Sequence, residues 1–266
     1  MTDMSESAAS EILDLFANGG DLGAINTSLT LHLHELAGQL GRHELQEKLM
    51  KHAQEVAKDD EESGWVEFEM HRQGQADKES LIGLALAAEK AEHNKLAAAI
   101  LHHIGLMSLA TADIEEAGTF AERSMRLREM ISDNTGMAYG HALLSHVAKA
   151  KEDWDAAEMH CHKRMELLGN DEQARLETMQ DLAHIKATTG ELEQSLAMMQ
   201  ESLELAERIG DLDGVLVARW GMADLAEISN QPDEAMVQLS GAMTSLMEAG
   251  IPAPDMLKQR IQKLTT

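Results

Sequence analysis

The chain repeats itself, and no other feature limits its fold as much. Residues 112–125, 152–165, 190–203 and 230–243 read ADIEEAGTFAERSM, EDWDAAEMHCHKRM, GELEQSLAMMQESL and NQPDEAMVQLSGAM, each a turn followed by an amphipathic helix. A small residue recurs at Ala117, Ala157, Ser195 and Ala235, at intervals of 40, 38 and 40. Four residues on stand Ala121, Cys161, Met199 and Leu239, and four further Met125, Met165, Leu203 and Met243. Spacing of four and four places these side chains on one buried stripe of a helix. The preceding helix repeats too: Ile104-Gly105, Leu144-Ser145, Leu182-Ala183 and Met222-Ala223 each pair a large apolar residue with a small one. A small side chain there lets a neighbouring helix come close.

A unit of two helices cannot bury its own apolar faces, so such units are expected to stack. The composition agrees. Only three of 266 residues are proline, good helix formers dominate, and no window alternates β-branched with polar residues. The expected fold class is all-α.

A large residue, a large-small pair three positions on and a small residue opening a four-residue stripe resemble the tetratricopeptide repeat, as in Met179-x-x-Leu182-Ala183 followed by Ser195-x-x-x-Met199. The period is nearer 40 than 34, no proline closes the second helix, and Met or Ala stands at most aromatic positions. Residues 203–236 resemble the longer hairpin found in bacterial regulatory proteins. The resemblance implies a right-handed superhelix of stacked antiparallel helical hairpins in one domain over 1–266. Within it, 94–252 hold four clear repeats. Residues 1–93 hold a short helix near 7–17 and two degenerate repeats, with helices expected over 22–38, 41–57, 64–74 and 80–88. Residues 253–266 form a basic, amphipathic C-terminal cap.

The charge balance excludes several functions. With 22 basic against 47 acidic residues the formal net charge is −25, which repels nucleic-acid backbones and anionic membranes. No apolar run reaches the roughly 18 residues of a membrane span, the start lacks a signal-peptide pattern, and a lone cysteine allows no internal disulfide. A cytoplasmic location is the expectation. No phosphate loop, nucleophile elbow or His-Glu-x-x-His is present, so neither an enzyme nor a cofactor is expected.

The run His160-Cys161-His162 suggests a metal site, but Cys161 falls on the buried stripe. Its neighbours leave the helix at about 100° to either side, so the two rings do not face each other. Both histidines are expected to point outward. His102-His103 and His32-x-His34 fail for the same reason. Most of the 18 methionines read as core filling.

The family resemblance places the first helix of each hairpin on the concave, partner-binding face. The inward positions are then His102 and Leu106, followed by Tyr139, Ala142, His146 and Lys149, then Glu177, Gln180 and His184, and finally Trp220, Asp224 and Glu227. This face implies a protein or peptide partner with basic and apolar residues, and a homo-oligomer is compatible with it. Trp220 reads either as packing between hairpins or as an apolar anchor. The alternative is a small-ligand or metal-responsive binding protein, with His146, His184 and Asp224, at one position in three successive repeats, as metal ligands. Otherwise the three form a polar ladder whose histidines protonate near pH 6.5.

Overall fold

A computed structural model describes residues 6–74 and 77–265, and these form helices joined by short turns, with no strand among the described residues. The chain divides into two compact units, one of residues 1–107 and 123–131, the other of 108–122 and 132–266. The first contains α1 (Glu6–Ala17), a 3-10 turn (Leu22–Ala24), α2 (Thr27–Gln39), α3 (His43–Val56), α4 (Asp60–Gln73), α5 (Lys78–Lys90) and most of α6 (Asn94–Ala110). Helix α7 (Ile114–Met130) contributes its later residues to this unit and its first turns to the other. The second unit continues with α8 (Asn134–Ala150), α9 (Trp154–Leu167), α10 (Glu172–Thr188), α11 (Leu192–Ile209), α12 (Leu212–Ile228), α13 (Pro232–Glu248) and α14 (Asp255–Leu264).

The expected helices are found within a few residues of their expected bounds, except that 22–38 splits into the 3-10 turn and α2. In the second unit α8 and α9, α10 and α11, and α12 and α13 are the three hairpins, with α10 packed on α9 and α12, and α11 on α12. The four repeated small residues are fully buried, as are Ser145, Ala183 and Ala223 of the large-small pairs. The small residues bring backbones together. Ser145 Oγ–H donates to the Ala157 carbonyl at 3.2 Å and Ser195 Oγ–H to the Ala183 carbonyl at 2.7 Å, each pinning a hairpin across its two helices.

The turns repeat in conformation as well as position. Ala112, Glu152, Gly190 and Asn230, each five residues before the small residue, have φ of 60°, 58°, 88° and 55°. This left-handed residue reverses the chain, and the next N–H reaches back to a carbonyl of the first helix, as Asp153 does to Ala148 at 2.9 Å. Aspartates cap α8, α9, α10 and α12: Asp133, Asp153, Asp171 and Asp211 accept from the N–H three residues on. Each such cap contributes roughly 1 kcal/mol. Part of the chain's acidity is therefore structural.

The first unit is built less regularly. Leu13, Phe16, Leu33, Ala37, Leu45 and Leu49 form one buried cluster. Helix α4 lacks the large-small pair, and Gly64 supplies its close approach: a Cβ there would lie 2.6 Å from Leu96 Cδ2. Polar groups fill the rest. Buried His34 contacts the Gln46 carbonyl through Nδ1 at 2.8 Å, and Gln73 on its other side. Arg72 pairs with Glu35 at 2.9 Å and Glu69 at 3.0 Å. Among the described residues no helix is long and apolar enough to cross a membrane.

Candidate functional site

Six of the residues expected on the inward face line one cleft of about 690 Å³ in the second unit: His146, Glu177, Gln180, His184, Trp220 and Asp224. They come from α8, α10 and α12, the first helices of three successive hairpins. Met199, Leu216 and Val217 add apolar surface, and Arg164 and Asp181 add charge. Lys149 reaches this group through its ion pair to Asp181 at 2.6 Å. Tyr139, half exposed, lines a neighbouring depression of about 130 Å³ that shares Arg164 with the cleft. Ala142, also expected inward, is only partly exposed. His102 and Leu106 belong to the first unit, His102 largely buried with its Nδ1 unpartnered and Leu106 exposed.

The polar groups are mostly tied down. Arg164 is 5% exposed and pairs with Glu177 at 2.8 Å, while its buried Nε has no hydrogen-bond partner. Gln180 donates to the Gly214 carbonyl at 2.9 Å, clamping α10 to α12. His146 stands 3.9 Å from Asp181, and the His184 ring meets Trp154 edge-on at 6.4 Å. At the α12 end the guanidinium of Arg260, from α14, lies 4.7 Å from the Trp220 ring centroid. The same guanidinium bonds Asp224 at 2.5 Å and Glu227 at 2.8 Å.

His146, His184 and Asp224 thus share a cleft, but each has other company. Among the described residues no group of three His, Cys, Asp or Glu side chains gathers as a metal ion would require. The expectation that the ladder histidines protonate near pH 6.5 fails for His146. Burial, with Lys149 nearby, holds its pKa below the ordinary histidine value.

Cys161 is buried, 2% exposed, with its Sγ 3.2 Å from Ser145 Oγ. Burial raises its thiol pKa. His162 is exposed as expected, but His160 is not. It is partly buried, its Nδ1 2.9 Å from Nδ1 of His141 on α8. A helical wheel of α9 shows where His160 leaves that helix, not that α8 passes there.

Sequence reasoning missed Arg164, Asp181 and Arg260. Two carried a signal. Asp181 lies four residues after Glu177 and three before His184, on their face. Arg164 lies three residues after Cys161, on the buried stripe. For Arg260 no signal existed, because α14 lies outside the repeat.

No protein-family model matches the chain, and no curated protein does. Solved structures show its fold. A signal transduction ATPase with numerous domains and a tetratricopeptide repeat sensor, from Pyrococcus horikoshii, superposes with a TM-score of 0.66 at 14% identity, over 99% of this chain and 42% of that one. Aspartyl phosphate phosphatase F from Bacillus subtilis gives 0.62 at 14% identity, over 92% and 70%. The apo form of RapI gives 0.58 at 11% identity, over 91% and 71%. This chain therefore spans less than half of the archaeal ATPase. The fold is all-α and tetratricopeptide-repeat-like.

Proposed function

We propose that this chain is a protein-interaction module that holds a peptide segment of its partner in the cleft of α8, α10 and α12. The observation that carries this reading is the convergence of six inward positions, spaced by the repeat, on one cleft. Stacked helical hairpins offer such surfaces to extended or helical segments. The partner chemistry follows from the lining. Apolar surface from Trp220, Leu216, Val217 and Met199 lies beside Glu177, Asp181 and Asp224, which favours a segment with apolar side chains next to basic ones. No catalytic step belongs to this reading.

A second reading, a small ligand held by the histidines and acids, is favoured by the cleft volume, which falls within the roughly 300–1,000 Å³ of small-molecule sites. A selection from a random peptide library on the immobilised protein separates the two. The peptide reading expects basic-apolar sequences whose binding weakens with salt and falls by about 2 kcal/mol or more in Trp220→Ala. Selected peptides indifferent to Trp220→Ala and Asp181→Lys, or none at all, reject it.

A further inference from the structure

The contacts of Arg260 exceed what a terminal cap needs. Helix α14 is anchored by Leu257, 2% exposed, with Ile261 and Leu264 packed on the same cluster as Ala235, Leu239 and Ala242. That apolar face alone covers the end of the last hairpin. Arg260 projects from α14 onto Trp220, Asp224 and Glu227, positions i, i+4 and i+7 of α12 and so one stripe of one helix. The arrangement is a guanidinium site in every part: an aromatic face at cation–π distance and two carboxylates receiving its N–H groups. A lysine could meet the ring or one carboxylate, but lacks the planar fork that engages all three. Two of the three, Trp220 and Asp224, also line the cleft.

We propose that Trp220, Asp224 and Glu227 form an arginine-recognition subsite at the α12 end of the cleft, occupied in the resting chain by Arg260, and that an arginine of a bound peptide replaces it. The inference rests on the peptide reading for its occupant and adds both the specificity and its control. Arg260 is tethered through the short segment 250–254, so it competes at high effective concentration. The subsite is therefore masked until a partner offers an arginine together with contacts elsewhere in the cleft. The exchange is chemically balanced, because an incoming guanidinium remakes the stack and both ion pairs that Arg260 gives up. Lysine-bearing segments do not remake them. The carboxylates stay half exposed while paired, at 50% for Asp224 and 38% for Glu227, so an incoming group has access to them.

The test uses the full chain labelled with 15N-tryptophan, the Trp220 indole signal being assigned by Trp220→Phe. N-acetyl-L-arginine amide is titrated into wild type and Arg260→Met, which keeps the aliphatic stem of the arginine. The expected result is a saturating shift of the Trp220 signal in Arg260→Met, with wild type about tenfold weaker because its site is masked. N-acetyl-L-lysine amide should be weaker still on the variant, and Asp224→Asn with Glu227→Gln added should abolish the shift. Equal binding to wild type and variant would overturn the masking. No binding to an Arg260→Met protein that melts as wild type, or no preference for arginine over lysine, would overturn the subsite. Should Arg260→Met disturb α14, Arg260→Gln repeats the titration under the same criteria. Because the probe is a single residue, arginine binding with no peptide selected would reject the peptide reading and leave the subsite standing. Selected peptides indifferent to Asp224 and Glu227 would do the reverse.

Discussion

The two units solve one problem differently. In the second, backbones approach through small side chains at a nearly fixed interval, and two of the three hairpins, α8–α9 and α10–α11, are closed by a hydroxyl reaching the opposite carbonyl. In the first, large leucines of α1, α2 and α3 form one cluster, and His34, Glu69, Arg72 and Gln73 join α2 and α4 through polar contacts. The difference shows what makes a repeat readable. Small-residue contacts tolerate few substitutes and so leave a periodic trace, whereas a leucine cluster or a polar network is built from residues that need no fixed spacing.

Breaking each device should therefore cost the units differently. Leu49→Ala empties part of the first unit's cluster, where the leucine is fully buried, and should cost about 2–5 kcal/mol. Ala157→Leu overfills the α8–α9 contact in the second unit and should cost about 1–3 kcal/mol. Hydrogen exchange by residue should place the lost protection in the first unit for one variant and the second for the other. Loss spread evenly over both units by either variant would show that they unfold as one body.

Histidines sharpen the comparison because each unit buries its own. In the first, burial, with Arg128 and His103 beside it, depresses His102 to a pKa of about 3. In the second, burial and the neighbouring His160 and Lys163 depress His141 to about 4, and His160 is itself lowered by burial and Lys163. The 2.9 Å contact between two Nδ1 atoms requires one ring to donate and the other to accept, so at least one is neutral. Below the ordinary histidine value near 6.5 the unfolded chain takes up protons that the native chain does not, so stability must fall as pH falls. The loss begins below about pH 6.5 and continues toward pH 4 for His141 and pH 3 for His102. His102→Gln and His141→Gln should each flatten the dependence of Tm on pH between 6.5 and 4. Melting curves with unchanged slopes in both variants would mean that these rings are free to protonate in the native chain.

Much of this was legible in the sequence. The stripes at Ala117, Ala157, Ser195 and Ala235 located the hairpins, and the inward register gathered His146, Glu177, Gln180, His184, Trp220 and Asp224 at one cleft. What escaped has a common physical reason. Arg260 reaches Trp220 from a helix with no place in the repeat, and His160 meets His141 across a helix interface. Periodicity fixes which face of a helix a residue occupies, but a long side chain or a ring between helices depends on what the other helix brings.

The smallest expected effect lies in the turns, where the second unit departs from its own best solution. Gly190 takes the left-handed turn conformation at no steric cost, but Ala112, Glu152 and Asn230 hold the equivalent position with a Cβ, at φ of 60°, 58° and 55°. A residue with a Cβ is strained there by about 1 kcal/mol, and asparagine suffers least because its side chain tolerates this region. Glycine loses more entropy on folding, which offsets part of the gain. Glu152 is fully suited to the test, since it is exposed and its turn is otherwise complete, with the Asp153 N–H bonded back to Ala148. Glu152→Gly should therefore stabilise the chain by about 0.5–1 kcal/mol, and Asn230→Gly by less. The reciprocal change, Gly190→Ala, should destabilise by a similar amount, which denaturant midpoints on the three variants would read directly. If Glu152→Gly lowers the midpoint, the turn is held by its side chain and not by the backbone, and the four repeats are not equivalent at the position that defines them.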